Sequence, residues 1–574
     1  MISMMLVYCT TNIVGLIFLS LFGVRIFQTD QDKTLDQHRK KTAGRVDLLN
    51  YAALVYDGIM VNKNGSFTAC WMYKGDDNAS STDKNRELVS FRINKALSGL
   101  GNGWMVHVDA VRRDAPNYSA KGDSHFPDPV TQAIDDERRK LFEGLGNLYE
   151  GFFVLSVTYY PPMLAQAKFI ELMFDDDSET LNKNARTHGL IDDFKRSCQT
   201  IEHSLDSVLK LSRLKGHKFE QEDGTKVVQD DMLRFLQYCV TGKNHPVNLP
   251  SNPMYIDQMI GSEELHKGIT PKVGRKFIQI VSIEGFPLES YPGILSRLAE
   301  LPIEYRWSSR FIFMDQHESI KHMEKYRKKW KQKIRGLFSQ VFNTGGGVVD
   351  QDAVDMVQDA ETAIADINSG LVSMGYYTSV VVLMNEDRTK VEEAARTVEK
   401  NINALGFSAR VETINTMDAY LGSLPSHGVE NVRRPLLNTM NLSDLLPSST
   451  IWTGADKAPC PFYPPNSPPL MHCVTAGNSP FRLNLHVRDV GHSIMFGPTG
   501  AGKSTHLVML AAQLRRYKDM TIYAFDKGNS LYALSKGCGG QHFTIAGDDE
   551  DALNFCPLKF LNTKPLFHFD NSTY

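Results

Sequence analysis

Eight residues near the end of the sequence, Gly497-Pro-Thr-Gly-Ala-Gly-Lys503-Ser504, satisfy the pattern GxxxxGK[ST] in full. This pattern constrains the fold because it works only where a strand enters it and a helix leaves it. The flanks fit. "HSIMF" (492–496) is a short apolar run predicted to be a strand. From Ser504 onward the chain is predicted helical, with Leu507, Leu510, Ala511 and Leu514 on one face. Glycines let a backbone wrap closely because they carry no Cβ. Gly500 and Gly502 are therefore expected to turn successive amides inward, and the helix start adds the positive end of its dipole. The predicted phosphate-binding set is Gly497, Pro498, Thr499, Gly500, Ala501, Gly502, Lys503, Ser504 and Thr505. Lys503 is expected to reach the β and γ phosphates of a nucleotide, and Ser504 to place its hydroxyl on Mg²⁺. Thr505 is expected near the α-phosphate.

"MTIYAFDKG" (520–528) is predicted to be the next strand. Its Asp526 follows Ser504 by only 22 residues. In a RecA-like NTPase the Walker B carboxylate comes later in the chain, so Asp526 is read as a strand end near the nucleotide or a subunit boundary. No catalytic residue is assigned. His486, His492, His506 and His542 lack metal-ligand spacing.

A chain of 574 residues is too long for one core and predicts several domains. Its 42% hydrophobic and 22% charged content is that of a folded protein. A net charge of −3 gives no global pull towards nucleic acid or anionic lipid. The eight cysteines are scattered, without CxxC pairs, and are read as reduced thiols.

At the N-terminus, "LVYCTTNIVGLIFLSLFGVRIF" (6–27) is long enough, at about 1.5 Å per residue, to cross a hydrocarbon layer of about 30 Å. It is predicted to be a retained transmembrane helix; a buried or interfacial helix is the alternative. Lys33, Arg39, Lys40, Lys41 and Arg45 follow it, which puts the bulk of the chain in the cytoplasm by the positive-inside rule.

Downstream the sequence predicts a mixed α+β region. Strands are expected at 67–73, 104–111, 152–160, 277–283 and 310–315. A helix is expected over 84–99, with Leu88, Phe91, Ile93 and Leu97 as its apolar surface. Residues 112–130 read as a loop, and 190–215 and 229–240 as helices. From Ile320, apolar residues at helical spacing (Met323, Trp330, Ile334, Leu337, Val341) mark a long helix. Its other positions are basic: Lys321, Lys325, Arg327, Lys328, Lys329, Lys331, Lys333 and Arg335. They make either a solvated face or a contact with DNA or acidic lipid. A helix at 351–371, a strand at 377–384, a helix bearing Val391, Ala394, Ala395, Val398, Ile402 and Leu405, and a strand at 407–414 follow. This is a β-α-β order, with the pairing left open. Eight prolines in 445–480 mark a linker across the surface. The expected domains are 1–45 (anchor and juxtamembrane linker), 46–320 (α+β), 321–444 (helical and β-α-β), 445–480 (linker) and 481–574 (the start of a P-loop NTPase domain).

Several blocks together resemble the TrbE-type conjugal transfer ATPases of type IV secretion systems, the CagE/TrbE/VirB family. "NLHVRDVGHSIMFGPTGAGKST" (484–505) resembles the start of their ATPase domain. "SIEGFPLESYPGILSRLAELPIEYRWSSRFI" (282–312) and "YLGSLPSHGVENVRRPLLNTMNLSDLLP" (420–447) resemble blocks ahead of it; "FDKGNS" (525–530) and "LNFCPL" (553–558) resemble the chain beyond it. The resemblance implies a multidomain α/β and α+β protein that ends in a RecA-like motor using ATP and Mg²⁺. It also implies a place on the cytoplasmic side of a bacterial inner membrane, oligomerisation, and other secretion subunits as partners. Ser426 stands where the family pattern leads us to expect glycine. The family's Walker B carboxylates, catalytic Glu and trans-acting Arg are not identifiable here. The expectation is a transfer ATPase whose motor is cut short, weakly active or inactive alone. A non-hydrolysing membrane-docked scaffold and a DNA translocase or coupling protein are the alternatives.

Overall fold

The computed structural model describes residues 44–545 and Leu553, apart from 78–80, 117, 162–179, 221–225, 251–254, 288, 342–350, 432–434 and 476; side chains are described outside 180–188 and 330–355. The span expected at 6–27 lies outside these residues. Among those described, no helix is long and apolar enough to cross a membrane. The chain forms two compact units. The first comprises Met1–Ala115, Tyr149–Trp452 and Ala476–Ser479; the second comprises Pro116–Leu148, Thr453–Thr475 and Pro480–Tyr574.

The first unit is built on a 13-stranded sheet. In chain order the sheet begins with β1 (Tyr51–Tyr56), β2 (Ile59–Asn62), β3 (Phe67–Gly75), β4 (Trp104–Ala115), β5 (Leu148–Tyr159) and β6 (Leu209–Arg213). A separate three-stranded sheet of β7 (Gly216–Glu220), β8 (Lys226–Asp230) and β9 (Asn248–Leu249) interrupts the series. The main sheet resumes with β10 (Leu265–His266), β11 (Lys272–Val273), β12 (Lys276–Gly285), β13 (Tyr305–Phe313), β14 (Met374–Asn385), β15 (Ser408–Val411) and β16 (Leu436–Asn438). In space the order is β1-β2-β3-β5-β4-β13-β14-β12-β11-β10, with β6 beside β3, β16 beside β14 and β15 beside β12. β13 runs antiparallel between β4 and β14. β12 is antiparallel to both β14 and β15. The two strands of the β-α-β order therefore share a direction, with β12 between them.

Alternation along each strand sorts side chains onto two faces. Phe67, Trp71, Val106, Val108, Trp307, Val381 and Leu383 enter one core. Cys70, Val154, Ile278, Ile280, Val380 and Val382 enter the other. Because both faces are covered, β14 reads as a continuous apolar run, Val380 to Leu383, each at 2% exposure or less. Each such side chain contributes about 1.5–3 kcal/mol of transfer free energy before conformational entropy offsets it. Helices Asp83–Ser98, Thr180–Leu205, Arg388–Ala404 and Thr439–Leu445 supply residues to the first core. Helices Asp231–Thr241, Ile256–Ile260 and Thr416–Gly422 supply residues to the second. The Arg388–Ala404 helix illustrates why these helices form where they do. Asp387 caps its first turn by accepting from the Thr389 amide at 2.9 Å. Val391, Ala395, Val398 and Ile402 bury one stripe, and Gly406, at φ +87°, turns the chain out of the helix.

The second core carries a polar seam. Arg306 donates to Asp109 Oδ1 at 2.7 Å, to the Ser423 carbonyl at 2.8 Å and to the Ser423 hydroxyl at 2.6 Å. Arg310 donates to the carbonyls of Gly422, His427 and Glu430 at 3.3, 3.1 and 3.0 Å. Burial pushes the Asp109 carboxyl upward, opposed by the Arg306 guanidinium. The two arginines clamp the 422–431 loop, within which buried Ser426 sits at φ +67°. This left-handed conformation explains the expectation of glycine there.

Several expectations are corrected. The loop expected at 112–130 is narrower, because β4 continues to Ala115, beyond its pairing with β13 at Arg112, and a helix starts at Pro129. The helix expected over 190–215 ends at Leu205, and Leu209–Arg213 pairs with β3 as a strand instead. Leu88 and Phe91 are 47% and 43% exposed. The buried face of their helix is Ser90, Ile93, Asn94 and Leu97. Ser90 and Asn94 tolerate burial because Ser90 donates to Asp444 at 2.6 Å and Thr439 donates to Asn94 at 2.6 Å.

The second unit contains helices Pro129–Gly144, Lys503–Leu514 and Tyr532–Gly537 and the hairpin β17 (Met471–Val474) with β18 (Pro480–Leu483). Its core is small: Leu470, Met471, Leu510 and Tyr517, with Tyr463, Met509 and Leu514 packed against them. The strands expected at 492–496 and 520–528 do not form: neither stretch belongs to a ladder. Ile494, Phe496, Tyr523 and Phe525 are 80%, 88%, 85% and 94% exposed. An apolar run becomes a strand only where a neighbour takes its backbone hydrogen bonds, and among the described residues these runs have none.

Candidate functional site

The predicted set Gly497–Thr505 forms one continuous exposed loop and helix start. Gly500 and Gly502 both sit at φ +83°. A Cβ at either would meet nothing within 4 Å, so the demand for glycine is conformational and not a matter of space. The Ala501 amide donates to the Pro498 carbonyl at 3.3 Å, closing the turn. Gly502 caps the Lys503–Leu514 helix, and the His506 amide donates back to its carbonyl at 2.9 Å. The opening amides of a helix have no intrahelical acceptor. Lys503 folds back across the loop, its Nζ donating to the carbonyls of Gly497 and Pro498 at 2.7 Å each. Among the described residues the Ser504 and Thr505 hydroxyls bond to no other group. Free amides, an ammonium and two hydroxyls thus meet at one helix start. That is the donor set of an anion cradle.

Asp526 is an exposed turn residue. Its Oδ1 accepts from the Gly528 amide at 3.0 Å and its Oδ2 from the Leu531 amide at 2.9 Å. The Leu531 and Gly528 amides hold this carboxyl below the usual range. Of the basic positions proposed for DNA, Arg327 lies 3.8 Å from Glu361 and Lys328 lies 4.0 Å from Glu324, which offsets some of their charge. Lys331, Lys333 and Arg335 lie outside the described side chains.

The far end of the phosphate-loop helix holds residues that sequence reasoning missed. Buried Arg516, just beyond Leu514, pairs with Asp135 at 2.9 Å. Arg515 lies 3.5 Å from Asp128, which caps the Pro129–Gly144 helix by accepting from the Thr131 amide at 2.8 Å. The Asp128-Pro129 pair is a legible helix start; its long-range partners carry no local signal.

Known proteins resemble this chain along most of its length. Residues 58–167 match the family described as type IV secretion system ATPase VirB4/TrbE, N-terminal domain. Residues 219–433 match the CagE, TrbE, VirB family, component of type IV transporter system. The chain is 45% identical over 524 residues to conjugal transfer protein TrbE of Rhizobium radiobacter, covering 90% of this chain and 63% of that protein. In Sinorhizobium fredii a probable conjugal transfer protein TrbE is represented by two separate pieces. The chain is 49% identical over 374 residues to the second piece, covering 64% of this chain and 56% of the relative. It is 44% identical over 115 residues to the first piece, covering 20% of this chain and 77% of the relative. The chain therefore spans less than two thirds of the length of the Rhizobium protein and of the second Sinorhizobium piece. With residues 58–167 and 219–433 matched by two family models and most of its length by TrbE, the chain belongs to the CagE, TrbE, VirB family of type IV transporter components.

Proposed function

We propose that Gly497–Thr505 binds the phosphates of ATP together with Mg²⁺, and that the chain is the nucleotide-binding component of a conjugative type IV secretion system. The observation that carries this reading is the pair of left-handed glycines, Gly500 and Gly502, at the start of the Lys503–Leu514 helix. When bound, ATP supplies a transferable γ-phosphoryl group. Lys503, whose Nζ now bonds two carbonyls, would hold phosphate oxygens, and Ser504 would offer its hydroxyl to Mg²⁺. Thr505 and the first amides of the helix add donors to the same anion.

The same reading takes 481–574 as the opening of a RecA-like fold. It takes 6–27 as an anchor, with the bulk of the chain on the cytoplasmic side of a bacterial inner membrane. The partners are other secretion subunits and further copies of the chain, and the cargo is DNA or protein.

Titration of the full chain with a fluorescent ATP analogue and Mg²⁺ tests the binding site. Lys503→Ala removes a charge-assisted contact and is expected to weaken binding by about 10–100-fold. Ser504→Ala is expected to weaken only the Mg²⁺-dependent component. A wild-type chain that does not bind, or a Lys503→Ala chain that binds as well, overturns the proposal.

A further inference from the structure

Residues 116–148 lie within the stretch that matches the N-terminal family domain, yet they fold into the second unit, with the phosphate loop. Their contacts converge on the last turn of the phosphate-loop helix and the residues just after it. Arg516 is fully buried and Asp135 nearly so. Asp135 Oδ1 takes hydrogen bonds from Arg516 Nη2 at 2.9 Å and from the Tyr118 hydroxyl at 2.6 Å. Arg516 also donates to Gln513 Oε1 at 2.9 Å and to the Pro469 carbonyl, and its own carbonyl accepts from the His125 amide at 2.8 Å. The Phe126 ring lies 5.8 Å from the guanidinium. Burial, then the bond to Asp135, pushes the Tyr118 phenol up to about 12, so it remains a donor.

A buried guanidinium held by a carboxylate, an amide oxygen and a carbonyl has one orientation. The Lys503–Leu514 helix has 12 residues, a rod of about 18 Å. A tilt of about 10° at the Arg516 end displaces the phosphate loop at the other end by about 3 Å. Displacements of about 1 Å already spoil the alignment of reacting groups.

We infer that 116–148 is a component of the phosphate-loop unit, and that Asp135 and Arg516 are positioning residues: their ion pair sets the direction of the helix whose first turn cradles phosphate. The second half of this inference rests on the nucleotide reading above. The first half does not.

The test uses the full chain and two readouts. Hydrogen exchange without nucleotide reports on the helix itself, and titration with N-methylanthraniloyl-ATP and Mg²⁺ reports on the cradle. Asp135→Asn removes the charge and keeps the shape; Arg516→Lys keeps the charge and removes the fork. Both are expected to speed exchange across 503–517 while β13 and β14 keep wild-type protection, and to weaken analogue binding by about tenfold. The double variant is expected to cost less than the two single ones added together, because both remove the shared ion pair. Should either variant fail to fold, Arg515→Ala, which breaks the partly exposed pair with Asp128, decides by the same readouts with a smaller effect. Wild-type exchange across 503–517 in both variants overturns the inference, whatever the analogue does. Faster exchange with unchanged binding overturns the positioning role. If the wild-type chain does not bind the analogue, the nucleotide reading and the positioning role fall together, and exchange alone decides whether 116–148 holds the helix.

Discussion

"VVVLM" at 380–384 and "TIYAF" at 521–525 are similar runs of β-forming residues. The first is the centre of β14, hydrogen-bonded to β13 on one side and β12 on the other, with its valines at 2% exposure or less. The second has no ladder among the described residues, and its Tyr523 and Phe525 are 85% and 94% exposed. Propensity is common to both; neighbours are not. The first unit finds neighbours for the apolar side chains it buries along this run, and pairs Arg306 with Asp109 and Arg310 with the carbonyls of the 422–431 loop. The second is held by a few apolar residues and by polar ties to Arg516.

The sharpest way to break this comparison is to remove a partner where partnering is strongest. Arg306→Ala leaves the Asp109 carboxylate, 0% exposed, without its cation. The expected cost is about 3–5 kcal/mol, read as a lower urea midpoint of the transition reported by Trp307 fluorescence. A loss below about 1 kcal/mol, the value of an exposed pair, would show that the seam does not hold the first unit together.

The second unit is expected to lose stability in acid. His472 is buried, with Arg516, Arg482, Asp135 and Arg138 around it, and its ring nitrogen lies 2.8 Å from the Ser119 hydroxyl. Burial first, then Arg516 and Arg482, lower its pKa to about 3. Between that value and the ordinary 6.5 or so, the unfolded chain binds a proton that the folded one refuses. Stability is therefore lost as pH falls below about 6.5, by about 2 kcal/mol at pH 5. Hydrogen exchange across 453–475 at pH 7.5 and 5, corrected for intrinsic rates, measures it. His472→Gln is expected to flatten the dependence, and an unchanged slope in that variant would assign it to other groups.

The smallest expected effect is a gain. Ser426→Gly relieves a left-handed residue in the clamped 422–431 loop and is expected to stabilise the first unit by about 1 kcal/mol. Thermal melting checks it. A fall in melting temperature would mean that the Ser426 hydroxyl, which donates to the Pro425 carbonyl, outweighs the strain.

What is legible in the sequence is local. The stretch 497–505 is legible because its demand is local: Gly500 and Gly502 need a positive φ, and both have it. The Arg388–Ala404 helix is legible because its apolar stripe recurs at three- and four-residue steps. The buried face of the Asp83–Ser98 helix is not, because Ser90 and Asn94 are satisfied by Asp444 and Thr439, about 350 residues away. The pairing of Leu209–Arg213 with β3 is hidden for the same reason, as is the tie from Asp135 to Arg516. No periodicity or spacing in one segment records a partner in another.

That tie also sets a timetable for synthesis. Asp135 and Arg516 are 381 residues apart, and a ribosome adding about 5–20 residues per second takes about 20–75 s to cover that distance. The Pro129–Gly144 helix therefore leaves the ribosome well before its partner exists. Its buried residues Thr131, Asp135 and Phe142 wait in a nascent chain whose preceding and following strands already belong to another core. Folding of the phosphate-loop unit is necessarily a late event, completed only after the residues around Arg516 have cleared the ribosome.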